Sequence, residues 1–209
     1  MAVNSNSPFG FSQYRGGAGG APTFALTNRK VLSTAGAIYQ GDPVQPNITT
    51  ATGFINQGTA STIVCSGIFD GCNYLSTSQK RTVWSNYWPG SDATGDVNAK
   101  IIDDPNAQFV AMGNSTDFNI TGTLTSQLSS PVGQYCNYTI GTGSTANGFS
   151  GAYLSGLNTT VTLPFIVVDL ITAPPGSVGS DPTTAYNWVV VGFNNEWLRT
   201  NGAGPTGIT

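Results

Sequence analysis

The segment from Thr82 to Phe109, TVWSNYWPGSDATGDVNAKIIDDPNAQF, limits the fold more than any other, because its apolar residues come in short runs cut by turn residues. Val83, Trp84, Tyr87 and Trp88 are β-branched or aromatic side chains that suit a pleated, half-buried surface, and Pro-Gly-Ser-Asp directly after Trp88 supplies turn chemistry. Val97, Ala99 and Ile101 then alternate with Asn98 and Lys100, the pattern of a strand with one face buried, until Asp103-Asp104-Pro105-Asn106 ends the run. The segment contains no catalytic grouping and reads as building material for a sheet.

The same punctuation runs along the chain. Strands are expected at Phe24 to Leu32, Ala37 to Tyr39, Gly53 to Asn56, Thr62 to Phe69, Thr82 to Trp88, Val97 to Ile102 and Gln108 to Met112, with turns at Gln40-Gly-Asp-Pro43 and Asp70-Gly71. A second group is expected at Asp117 to Leu124, Gln134 to Ile140, Thr159 to Val168 and Tyr186 to Phe193, with a Pro- and Gly-rich loop over Ala173 to Pro182. Short strands at this spacing predict an all-β protein, an antiparallel β-barrel or β-sandwich with an extended N-terminal arm. The arm covers residues 1–22, the β-rich domain 23–199, with two β subregions at about 23–112 and 113–199, and a flexible tail 200–209.

Composition agrees with this class. Only 8% of the 209 residues are Asp, Glu, Lys or Arg, against about 25% in ordinary soluble domains. The surface is therefore polar but uncharged, whereas the outer faces of long helices need Lys and Glu. A hydrophobic content of 39% supports a real core. Seven basic residues and a net charge of −3 leave no footprint for phosphate, so direct nucleic-acid binding is not expected. No apolar run approaches the roughly 20 residues of a membrane span, and the start of the chain lacks the basic and apolar regions of a secretory signal. Synthesis in a cytoplasm without export or membrane insertion is expected.

Chemistry-bearing residues are sparse. The chain has no His and three Cys, so neither a Ser-His-Asp nor a Cys-His arrangement exists, and no metal site or cofactor is expected. Cys65, Cys72 and Cys136 cannot all pair within the chain; they are expected as free buried thiols, with a single Cys65–Cys72 bridge as the alternative. Asp103 and Asp104 are neighbours on an extended chain and point to opposite faces, which favours turn capping over a carboxylate pair. Asp92 and Asp96 lie in a polar turn that lacks the EF-hand pattern. Asp42 in Gly41-Asp-Pro43 is expected to bond nearby backbone amides and set a hairpin or strand exit rather than a ligand site. The other acids, Asp70, Asp117, Asp169, Asp181 and Glu196, are dispersed, and no enzyme activity is expected. A glycosidase, which needs two facing carboxylates, is the enzymatic alternative.

Asn-x-Ser/Thr triplets at Asn47, Asn114, Asn119, Asn137 and Asn158 follow from a chain rich in those residues. Trp84, Trp88, Trp188 and Trp197 are expected in core or interface packing rather than as a sugar-stacking platform. At the N-terminus, Phe9, Phe11, Tyr14 and Arg15 precede the Gly-rich Gly16 to Gly20. Glycine cannot hold regular structure unaided, so these side chains either anchor the arm on a partner or tuck back onto their own domain.

Five motifs in order carry a resemblance: Ser7-Pro-Phe-Gly-Phe11, Ile38-Tyr-Gln-Gly-Asp-Pro-Val44, Ser66-Gly-Ile-Phe-Asp-Gly-Cys72, Ser85-Asn-Tyr-Trp-Pro89 and Ile102-Asp-Asp-Pro-Asn106. Together they resemble the head decoration, or capsid cement, proteins of tailed bacteriophages, over roughly the first half to three-fifths of the chain. The Gly-rich stretch after Tyr14 departs from that pattern. The resemblance implies a structural virion protein on the outer capsid surface, with the major capsid protein and further copies of itself as partners, a homotrimer in preference to a dimer. Phe9, Phe11, Tyr14 and Arg15 are then the expected capsid contacts. Deletion of residues 2–22 is expected to leave the fold intact and abolish capsid binding. A tail-fibre or other receptor-binding adhesin is the alternative from another class, although no repeat supports it.

Overall fold

The computed structural model describes residues 4–16, 20–22, 25–47, 53–59, 64–121 and 130–197. Twelve strands are present among them: β1 (Ser12–Arg15), β2 (Thr27–Val31), β3 (Pro43–Pro46), β4 (Ile55–Gln57), β5 (Gly67–Leu75), β6 (Thr82–Ser85), β7 (Val97–Ile102), β8 (Gln108–Met112), β9 (Tyr135–Thr139), β10 (Tyr153–Asn158), β11 (Phe165–Leu170) and β12 (Trp188–Phe193). They form two antiparallel sheets packed together as an all-β sandwich. The first sheet has the order β1-β8-β12-β11-β9-β10 and the second β2-β7-β5-β3-β4, with β6 paired to the far half of β5. No helix among the described residues is long and apolar enough to cross a membrane.

Alternation along the strands builds two cores. Phe109 and Ala111 of β8, Val189, Val191 and Phe193 of β12, and Phe165 and Val167 of β11 point to the same side of the first sheet, where Ile68 and Ile102 of the second sheet meet them. On the other side of the second sheet, Val97, Ala99 and Ile101 join Val31, Val44, Phe69 and the fully buried Trp88. Ile68 and Phe69 thus feed opposite cores from adjacent positions, as the period of two requires.

The middle of the chain follows the period-two pattern closely, with β7 and β8 at the expected bounds. Elsewhere the structure departs from expectation for identifiable reasons. Asp70-Gly71 is no turn: β5 runs through it for nine residues, and the irregularity is a bulge at Phe69/Gly71 where Gly71 takes φ +133°. Pro43 and Pro46 bracket β3, at strand ends where a missing N–H is tolerated. β10 lies where no strand is expected, and Gly156 within it takes φ +58°. At the expected Asp117 to Leu124 strand, Ser115 caps a single 3-10 turn, Thr116–Phe118, by accepting from the Asp117 N–H; residues 122–124 lie outside the described residues. The sheets divide between Ile102 and Gln108 rather than near residue 112, since β8 belongs with β9 to β12. Phe24, Thr62, Ile63 and the expected tail from Thr200 also lie outside the described residues.

The largest correction concerns the N-terminus. Residues 4–15 are part of the sandwich and not an extended arm. Asn4 is buried and donates to the Asp181 carbonyl (2.9 Å) and to Thr184 Oγ1 (3.0 Å), while the Gly179 N–H donates to its Oδ1. Phe9 meets Trp188 edge-on at 5.1 Å, and Phe11 stacks on Phe165 at 4.8 Å between ring centroids. β1 then pairs with β8 as the edge of the first sheet. The aromatic residues bury enough apolar surface to order this segment despite the glycines that follow it. Deleting residues 2–22 would therefore remove a strand and a core side chain, contrary to the expectation that the fold survives it.

Candidate functional site

The four expected contact residues separate into two pairs. Phe11 is 3% exposed and belongs to the core, which removes it as a capsid anchor, and Phe9 is half-buried against Trp188. Tyr14 is 37% exposed and Arg15 lies open beside it, its guanidinium 4.8 Å from the Tyr14 ring centroid. The bulge between Gln13 and Arg15 turns Tyr14 out of the strand's alternation.

The acids are mostly structural. Asp42 is buried and accepts from the Tyr39 N–H (2.8 Å), Gln57 Nε2 (2.7 Å) and Ser150 Oγ (2.5 Å). Burial pushes its carboxyl up from the ordinary value against the pull of those bonds. The expected backbone-capping role is present, and the bond to Ser150 also ties the Gly41-Asp-Pro turn to a distant loop. Asp103 pairs with Arg29 at 3.1 Å and accepts from Thr27 Oγ1, whereas Asp104 caps its turn through the Asn106 N–H, so the two neighbours do separate work. Asp92 accepts from Ser76 Oγ, Thr77 Oγ1 and the Ser78 N–H; these bonds hold its carboxyl down at about 2. Among the described residues no three His, Cys, Asp or Glu side chains converge on a metal position.

All three cysteines are free and buried. Desolvation pushes Cys65 and Cys72 up to about 12 and Cys136 higher still, which leaves none as a nucleophile. The tryptophans do not form one platform. Trp88 is buried, Trp188 packs against Phe9, Trp197 sits under the Arg29 guanidinium at 4.3 Å, and Trp84 alone is open at 67%, with Lys100 Nζ 4.6 Å from its centroid.

A cleft of about 730 Å³ opens between the sheets beside the N-terminal segment. Its deeper walls include Phe11, Ile68 and Ile102, and its polar wall is Gln40 and Asp70, joined by a Gln40 Nε2 to Asp70 Oδ1 bond of 2.9 Å. Asn147 and Phe149 complete the mouth, and Phe149 is 48% exposed. This loop is anchored: Gln40 donates to the Gly148 carbonyl, Ser150 donates back to the Gln40 carbonyl, and Ser144 donates to the Phe149 carbonyl. Gly143 lies so close to the Tyr39 ring that any Cβ would collide with it. Asp70 is the single carboxylate lining the cleft among the described residues. The dispersed acids gave no hint of this arrangement, because it depends on contact between Gln40 and the 148–150 segment, which are distant in the chain.

The five sequence motifs converge below the cleft. The Phe11 N–H donates to the Gly41 carbonyl, the Gly41 N–H to the Phe69 carbonyl, and the Phe69 N–H to the Asp42 carbonyl, at 2.8–2.9 Å. Ile38 bridges Trp88, Cys72 faces Ser85, and Ile68 faces Ile102. No protein-family model matches the chain, and no curated protein or solved structure matches it either.

Proposed function

We propose that this protein is a virion decoration protein, binding the outside of an assembled phage capsid and reinforcing the contacts between major capsid protein subunits. The observation that carries the reading is the interlocking of the five motifs. The residues behind the resemblance are bonded to one another in the fold, Phe11 to Gly41, Gly41 to Phe69 and Phe69 to Asp42, which supports reading the motifs as one structural unit rather than as a set of common turns. The charge-poor surface and single-carboxylate cleft support binding over hydrolysis, which needs two facing acids.

Mechanically, a subunit that binds only the assembled shell lowers the free energy of that state by its binding energy. A trimer of such subunits would link several weak contacts and gain avidity without a strong individual interface. The contact side chains are Tyr14 and Arg15. They sit on β1, at the edge of the first sheet, where unpaired backbone groups can also receive a strand from a partner.

The test is binding of purified protein to expanded shells that lack it, followed by sedimentation, with a Tyr14→Ala/Arg15→Glu double variant that keeps β1. Saturable binding lost in the variant is the expected outcome. Electron cryomicroscopy of the native particle should place the chain on the outer shell, bridging capsid subunits. Density confined to the tail, or no binding to shells, would overturn the reading.

A further inference from the structure

We propose that the cleft between the sheets is a binding site for an uncharged saccharide, a function separate from attachment to a capsid. A sugar ring presents apolar C–H patches and pairs of vicinal hydroxyls, so its recognition calls for an aromatic face beside planar groups that accept and donate in the same plane. The cleft supplies both. Phe149, 48% exposed at the mouth, offers the aromatic face.

Gln40 and Asp70 form the planar pair. Their mutual bond uses Gln40 Nε2 and Asp70 Oδ1, leaving Gln40 Oε1 and Asp70 Oδ2 without a protein partner among the described residues. Asn147 uses its Oδ1 on the Phe149 N–H (3.0 Å), which leaves its amide nitrogen as a donor.

Two features narrow the ligand. Among the described residues no Lys or Arg lines the cleft while Asp70 does, so an acidic sugar would meet a like charge without a counterion from them. A volume of about 730 Å³ exceeds the need of a single ring and suits a short oligosaccharide. The site is also preorganised, because backbone bonds lock Gln40 to the 148–150 segment and the Ser150 hydroxyl donates to the buried Asp42 carboxylate. Little ordering cost then falls on binding.

The test uses the full-length purified protein, so it is independent of capsid binding and its failure would leave the decoration reading standing. A panel of neutral gluco-, galacto-, manno- and N-acetylglucosamine-containing oligosaccharides, with uronic acid and sialylated oligosaccharides as controls, is screened by saturation-transfer NMR and titrated calorimetrically at millimolar concentrations. At least one neutral member should bind, with affinity reduced about tenfold or more by Phe149→Ala and by Asp70→Asn. Melting curves of both variants establish that they remain folded. Trp84→Ala, which alters an exposed aromatic outside the cleft, should leave binding unchanged. Failure of every neutral saccharide to bind, binding restricted to the acidic controls, or loss of binding in Trp84→Ala but not in Phe149→Ala would each overturn the proposal.

Discussion

Replacing Phe11 with Ala tests whether the N-terminal segment is part of the sandwich. The side chain is 3% exposed, stacks on Phe165 at 4.8 Å and meets Tyr138 edge-on at 6.4 Å. A buried aromatic side chain removes on the order of 150–200 Å² from water, and at about 25 cal/mol per Å² this is worth roughly 4–5 kcal/mol. Alanine keeps the Cβ, and the pocket cannot close fully because Phe165 is itself pinned by Tyr138 and Phe193. The expected destabilisation is about 3–5 kcal/mol, within the usual range for Phe→Ala. For a chain of this length each kcal/mol lowers Tm by about 2–4 °C, so a fall on the order of 10 °C is expected by calorimetry or circular dichroism. Tyr14→Ala, on the same segment but exposed, should change stability by about 0.5–1 kcal/mol at most. A Phe11→Ala protein melting within a degree or two of wild type would refute the reasoning and return the segment to the status of a detachable arm.

Two further outcomes are expected. Asp92 has a folded pKa of about 2, below its ordinary 3.8, so its deprotonated form is favoured by folding. Its contribution is complete above about pH 4 and is lost as pH falls through about 2. Asp92→Ala should therefore lower Tm at neutral pH and converge with wild type at the acid limit, whereas parallel Tm curves across that range would disprove the assignment. Gly67 takes φ +139°, and a Cβ there would come 2.7 Å from the Ile102 carbonyl, so Gly67→Ala should cost about 2–4 kcal/mol in urea unfolding. Gly36→Ala, with open space around it, should stay within about 0.5 kcal/mol, and equal effects would argue against the close β5–β7 approach.

The sequence by itself determined the class and much of the framework. Val97-Asn-Ala-Lys-Ile alternates cleanly, so β7 needed no tertiary information, and low charge with frequent Gly and Pro turns excluded a helical bundle. The free state of the cysteines and the capping roles of Asp42 and Asp104 were also legible, because they depend on local chemistry. Tertiary structure decided the rest wherever a local signal had two readings. Asp70-Gly71 has the composition of a turn, and pairing of β5 with both β6 and β7 kept it extended as a bulge. Phe9 and Phe11 have the composition of an anchoring arm, and they became core because Trp188, Tyr138 and Phe165 left apolar surface for them to cover. The cleft was invisible for the same reason: Gln40 and Asp70 meet Asn147 and Phe149 only after the two sheets close, and no periodicity encodes a contact across that distance. Local pattern fixes which residues face a core, while long-range burial and hydrogen bonding select which core they face and what they leave open to a ligand.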